Sequence, residues 1–104
     1  MVEFCYEEST QTLLCRFRGR MDTAMSGPVA EKFSAEWGAL QARTETPRIV
    51  FDLEGVDYVA SSFLRLTLVA AKEVKKGNFS IIHTQPQVLK VFKIARLSSL
   101  LNVS

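Results

Sequence analysis

Arg48-Ile-Val-Phe-Asp-Leu-Glu-Gly-Val-Asp-Tyr-Val-Ala-Ser-Ser-Phe-Leu-Arg65 is the stretch that decides the fold. Arg48 to Leu53 reads as a strand of the buried type. A short loop follows, and Ser61-Ser62 opens a strongly apolar helix. Serine suits that place, because its side-chain oxygen accepts a bond from an orphan N–H of the first helical turn. Those N–H groups and the positive end of the helix dipole also favour an anion. The segment thus offers a hydroxyl in a phosphate-compatible setting. The plainest role for both serines is capping.

On the N-terminal side, two strands form a hairpin around Glu8-Ser-Thr-Gln11. In the first, Val2, Phe4 and Tyr6 alternate with Glu3, Cys5 and Glu7. In the second, Leu13, Cys15 and Phe17 alternate with Leu14, Arg16, Arg18 and Arg20. Directly opposed residues share a face, so the apolar sets belong together and Cys5 and Cys15 point apart. Bridging them needs a register slip, and both read as reduced thiols. The same parity sets the three arginines beside Glu3 and Glu7, as a solvated face with cross-strand charge pairs.

After Gly19-Arg-Met-Asp22 the period changes. Val29, Phe33, Trp37 and Leu40 recur at helical spacing, with Pro28 in the first turn, Ser26 or Gly27 as cap, and an end near Arg43-Thr-Glu-Thr-Pro47. The second helix runs from Ser61 to about Lys76 and stops at Gly77. Asn78 to His83 is a further strand. Thr84-Gln-Pro-Gln87 resembles a capping box opening a third helix, with Val88, Val91, Phe92 and Ala95 on one face. Leu97 to Ser104 offers a last short strand.

The order β-β-α-β-α-β-α implies an α/β domain over residues 1–104, with an opening antiparallel hairpin, parallel strand–helix–strand units, a mixed sheet and helices mainly on one face. Loops leaving parallel strands gather on one rim, which brings Asp22, Ser61, Ser62, His83 and Thr84 into one neighbourhood. On the second helix, at ~100° per residue, the apolar arc from Leu66 to Leu68 spans ~200°, more than the ~100° stripe a surface helix needs. Val69 falls between Arg65 and Glu73 and is expected exposed. Leu66 and Val69, framed by Arg65 and Glu73, make a candidate docking patch. A helix buried more deeply than usual, or one stray exposed valine, explains the pattern equally well.

The 104 residues suffice for one core, at 47% apolar content. A net charge of +2 and a pI near 8.7 are too mild for a nucleic-acid binder. No apolar run reaches the ~18 residues of a membrane span, and the N-terminus is unlike a signal peptide. The expectation is a cytoplasmic domain without direct membrane insertion. Enzyme signatures are scarce: there is no nucleophile elbow, Walker loop, metal-ligand spacing or glycine-rich dinucleotide turn. His83, the single histidine, pairs with Ser61 or Ser62 only in principle, since no oxyanion site accompanies them. No catalytic residue, metal or cofactor is assigned.

Three segments taken together resemble a STAS domain, the domain of anti-sigma-factor antagonists and sulfate-transporter tails: Gly19 to Asp22, Ile49 to Leu64, and Pro86 with Val88, Val91 and Phe92. The family pattern D-L-x-x-V-x-x-[IM]-D-S-[ST]-G-L is met by Asp52, Leu53, Val56, Ser61, Ser62 and Leu64, with Val59 a conservative fit. Ala60 stands where the family usually has aspartate, and Phe63 where it usually has glycine. The first change removes an acceptor beside Ser61, and the second adds bulk where a kinase would approach. The resemblance implies a non-enzymatic interaction domain that binds a serine-kinase anti-sigma factor or a related regulator, with Ser61 as phosphoacceptor. Asp22, which matches an acidic position near the phosphorylation site, then joins Ser62, Phe63, Arg65, Leu66, Val69 and Glu73 on the partner surface. Alternatives are a phosphorylation-independent subunit of a lipid-transport ATPase complex, a small-ligand sensor using the same rim, and last a hydrolase.

Overall fold

In a computed structural model that describes residues 1–42 and 46–104, the elements are β1 (Val2–Glu7), β2 (Thr12–Met21), α1 (Thr23–Gln41), β3 (Arg48–Val59), α2 (Ser61–Lys72), β4 (Phe79–Ile82) and α3 (Pro86–Ile94). The sheet order is β1-β2-β3-β4, antiparallel at the hairpin and parallel in the other two pairs. This is the mixed sheet that the element order implies.

The hairpin register opposes Phe4 to Cys15 and Cys5 to Leu14. Cys15, Leu13 and Phe17 are buried and Cys5 is exposed, so the two thiols lie on opposite faces and both are free. On the outer face Arg18 pairs with Glu3 at 3.9 Å, and the Arg20 guanidinium stacks over Tyr58 at 4.2 Å. The arginine stripe is thus partnered within the sheet.

Five phenylalanines hold the inner face together. The Phe51 ring on β3 lies 4.7 Å from Phe17 on β2, 5.7 Å from Phe33 on α1, 6.5 Å from Phe63 on α2 and 5.1 Å from Phe79 on β4. Val88 and Phe92 anchor α3, and Leu101 closes the core from the C-terminal segment. Ala95, expected on the buried face of α3, is exposed beyond its end. The last segment makes a single parallel bridge, Val103 to Ile81, and no full strand.

Several boundaries differ from the sequence expectation. Helix α1 starts at Thr23 because the Asp22 carboxylate accepts the Met25 N–H at 2.9 Å. That cap overrides Pro28, which sits inside the helix. Pro28 and Ala24 are both exposed, so the Ala24 carbonyl that the proline cannot serve faces water. Helix α1 ends at Gln41; the expected end near Arg43 to Pro47 falls largely on residues 43–45, outside the described residues. Helix α2 stops at Lys72, one turn early.

Strand β3 continues to Val59, and the expected loop after Leu53 is strand. Along β2 the partners Arg16, Arg18 and Arg20 step by two, while Asp52, Gly55 and Tyr58 on β3 step by three. Each step inserts one extra residue into β3, a bulge. The buried positions therefore change spacing, from Ile49, Phe51 and Leu53 to Val56 and Val59. A two-residue period does not register this as a strand. The strands meet closely at Gly55, where a Cβ would lie 3.2 Å from Arg18 Cγ and 3.3 Å from the Phe17 carbonyl. Gly19, opposite the bulges, has φ +90°.

Burial, aided by the Glu36 carboxylate, pushes the Cys15 thiol far above the ordinary thiol range. Native protein at pH 8 is expected to release one equivalent of thionitrobenzoate from a disulfide reagent, at Cys5, and the second only after denaturation. Two equally fast thiols in native protein would contradict the burial of Cys15.

Candidate functional site

The site is built where β2 and β3 end side by side. The Ala60 N–H donates to the Met21 carbonyl at 2.8 Å, which fixes the start of α2 against the start of α1. Ala60 is the N-cap of α2, extended at φ −93° and ψ 167°, and no side chain caps this helix. Ser61 and Ser62 are the first two helical residues, so neither is the capping residue that the sequence suggests. Ser61 is exposed at the N-terminus of the helix. Ser62 turns towards α1 and donates to Ser26 Oγ at 3.1 Å, and Ser26 donates to the Asp22 carbonyl at 2.8 Å. Sequence reading treated Ser26 as a cap; it is a buried bridge between the two helices. The serine pair has divided roles: Ser62 ties helices together and Ser61 faces solvent.

Beyond the Ser62–Ser26 bridge, α1 and α2 enclose a shallow cavity of about 250 Å³, which Ser62 lines and Ser61 does not. Phe33, Trp37 and Leu66 lie under it, and Arg65, Val69 and Glu73 stand along its edge. Val69 is 50% exposed, as its angular position implies. Glu73 accepts the Trp37 indole N–H at 3.1 Å, so one edge is held by a bond between the helices. Leu66 is buried at 7% exposure and belongs to the floor of the cavity, not to an exposed patch. Phe63 is completely buried against Phe17 at 5.2 Å and is core, so it adds no bulk at the surface. A helical wheel gives angles around α2 but not its roll. Because α1 covers the Leu66 side, the buried arc includes Leu66 and the fully buried Ala70. The contribution of α1 to this surface was missed; the buried Trp37, whose indole needs a polar partner, was the available signal.

His83 and Thr84 do not join this rim. His83, held at φ +56° after β4, places Nδ1 3.2 Å from Asp52 Oδ1. Asp52 and Val59 are seven positions apart on β3, a span of roughly 20 Å at ~3.3 Å per residue, and Ser61 lies beyond the far end. The bulged extension of β3 thus separates the histidine from both serines, and no nucleophile–base pair forms. Asp52 Oδ1 also accepts the Glu54 N–H at 3.0 Å, and Gln85 Nε2 donates to the Glu54 carbonyl at 2.8 Å. These bonds clamp the β4–α3 loop onto β3. The N-cap of α3 is Gln85 without a side-chain bond, so the expected capping box is not made, and the buried Thr84 hydroxyl has no hydrogen-bond partner among the described residues. Among the described residues Asp52, Glu54 and His83 bring metal-ligand atoms within 4.8 Å of one another, but Arg16 stands 4.0 Å from Asp52 and supplies the opposing charge itself.

A family model described as the STAS domain matches residues 4–104. BtrV of Bordetella bronchiseptica, described as a candidate anti-sigma factor antagonist, is 34% identical over 77 residues, 72% of this chain. The match spans 66% of that relative's length. A STAS-domain protein of the anti-sigma-factor antagonist type from Planctomyces limnophilus superposes with a TM-score of 0.81 at 20% identity, over 99% of this chain and 87% of that one. Unphosphorylated SpoIIAA, an anti-sigma factor antagonist, superposes with a TM-score of 0.76 at 19% identity, over 100% and 88%. Phosphorylated SpoIIAA of Bacillus gives 0.68 at 20% identity, over 100% and 91%. At these identities the structural likeness establishes the fold.

The two helix starts differ in capping, and this sets a stability test. Asp22→Ala is expected to cost about 1 kcal/mol, because the first turn of α1 loses its acceptor. Ala60→Asp is expected to gain about 1 kcal/mol by supplying the acceptor that α2 lacks. Urea unfolding of both variants checks this. A destabilised Ala60→Asp protein would mean that the α2 N-terminus cannot accommodate a capping carboxylate.

Proposed function

The chain belongs to the STAS domain family, and on that premise we propose that it is an interaction domain of the anti-sigma-factor antagonist type. It binds a kinase-type anti-sigma factor through the α1–α2 surface and is released when that kinase phosphorylates Ser61. The observation that carries this reading is the position of Ser61, an exposed hydroxyl on the first residue of α2, next in sequence to Ser62 and four residues before Arg65, both of which line the α1–α2 cavity. Its neighbour Ser62 is engaged with Ser26, which leaves Ser61 the accessible acceptor.

The proposed switch is local electrostatics. A phosphoryl group brings about −1.5 to −2 charges. At the first residue of a helix it meets unpaired N–H groups and the positive dipole end, so the modified state is tolerated. Arg65 lies four residues on, where a side chain reaches back along the same helical face. Phosphate on Ser61 would draw Arg65 into a charge-assisted pair and away from the partner surface. It would also set a dense negative charge beside the docking patch. Neither effect requires the core to rearrange. The uncapped α2 N-terminus at Ala60 gives specific support to the runner-up, a phosphorylation-independent subunit of a lipid-transport ATPase complex, because the local carboxylate is missing.

The test uses the purified cognate kinase with ATP, phosphosite mapping and binding measurements. Ser61→Ala is expected to bind and to take no phosphate. Ser61→Asp should weaken binding less than phosphate does, since it adds one charge instead of nearly two. Val69→Glu should weaken binding at least ~10-fold without loss of fold, by placing a charge at a half-exposed contact. Normal binding with no phosphate on Ser61 would leave the constitutive subunit in place of the switch. Intact binding by Val69→Glu would move the interface elsewhere.

A further inference from the structure

On the flank of α2 turned away from α1, the C-terminal end of the helix and the C-terminal segment of the chain enclose a second groove of about 430 Å³. It shares no lining residue with the α1–α2 cavity. Leu68 and Val74 form one wall, and Phe79 and Leu101 lie beneath. Leu100, 70% exposed, stands at the far edge.

The charged residues that line it are all lysines, Lys72, Lys75 and Lys76, and no carboxylate is among the described residues of its lining. Among the described residues none of the three lysines has an ion-pair partner. Lys72 closes the last turn of α2, where its charge opposes the negative end of the dipole. Lys75 and Lys76 lie beyond the helix. The turn that carries them is fixed by the Asn78 N–H bonding to the Lys75 carbonyl at 2.9 Å and by Gly77 at φ +91°. The rim is therefore a constrained row of cations over an apolar floor.

We propose that this groove binds a single-chain anionic amphiphile of the fatty-acid class, with the alkyl chain along the floor and the carboxylate at the lysines. Three features support this occupant. The volume lies within the ~300–1,000 Å³ of small-molecule sites, which combine mostly apolar walls with a few orienting polar groups. The charge of the described lining is lysine alone, and it sets the sign of the head group. An inorganic anion would gain nothing from Leu68, Val74 and Phe79, whereas an alkyl chain removes them from water together with its own surface.

The experiment is calorimetric titration, confirmed by native mass spectrometry, of the whole chain with three probes. These are dodecanoate below its micelle concentration, dodecyltrimethylammonium at the same concentration, and phosphatidylglycerol vesicles. The expected result is saturable one-to-one binding of dodecanoate. The exposed triple variant Lys72→Gln, Lys75→Gln, Lys76→Gln should weaken it ~10-fold or more, the scale of losing charge-assisted hydrogen bonds. The variant Lys90→Gln, Lys93→Gln, on α3 outside the groove, should leave it unchanged. Circular dichroism of each variant establishes that the fold is retained. Equal binding of the quaternary ammonium would overturn the proposal, because the rim would then play no part. Binding confined to vesicles would replace it with a membrane-facing surface. Absence of saturable dodecanoate binding, or full binding by the lysine triple variant, would also overturn it.

Discussion

The inner face of the sheet is organised around one ring. Phe51 touches aromatic side chains from β2, α1, α2 and β4, so four separate elements find their places against a single residue of the central strand. Edge-to-face geometry dominates these contacts, with interplanar angles of 61°, 80° and 70° to Phe17, Phe33 and Phe79. Such pairs add to area burial and also restrict orientation. Phe63 completes the cluster from α2, which is why a residue at the helix N-terminus is core while its neighbour Ser61 is free. The roll of α2, and with it the choice between Ser61 and Ser62, follows from burying Phe63.

Strand β3 converts that anchored core into a displaced surface. Its first half obeys the ordinary two-residue alternation. Its second half carries two extra residues relative to β2, so Leu53, Val56 and Val59 all reach the core across three-residue steps. The strand can then run its full length beside β2 and deliver Ala60 to the Met21 carbonyl. The α1 and α2 N-termini are brought side by side by a backbone bond and a Ser26–Ser62 bridge, not by a flexible loop. If the proposed partner surface is the one these helices form, it is held in place before any partner arrives, which lowers the ordering cost of association.

Several features were legible in the sequence because they depend on period alone. The hairpin parity, the opposed faces of Cys5 and Cys15 and the exposure of Val69 all follow from spacing. The element order gave the mixed sheet by the same reasoning. The misread features depend on competition between local signals. At the start of α1, a carboxylate cap at Asp22 outweighs the proline cue at Pro28. In β3, bulges erase the two-residue period beyond Leu53, so strand was read as loop. That error moved His83 beside Ser61, whereas the extended strand sets it against Asp52 instead. Leu66 is a candidate surface residue by its angle because a helical wheel does not specify which neighbour covers which arc, whereas Phe63 is placed on the surface only by the family's glycine at that position.

Helix α2 is consequently a helix with three environments. Phe63, Thr67 and Ala70 face the core, and the Thr67 hydroxyl, fully buried, is satisfied by the Leu64 carbonyl at 2.6 Å. Arg65 and Val69 border α1, while Leu68 and Lys72 border the C-terminal segment. An apolar arc wider than one core requires is thus accounted for without a stray residue, since each flank lines a separate cavity. The charges are sorted in the same way, with Glu73 bound to Trp37 on one flank and lysines alone on the other. A helix buried along one stripe would leave its remaining sides interchangeable. Here the core fixes the roll, and the fixed roll gives the two flanks different chemistry.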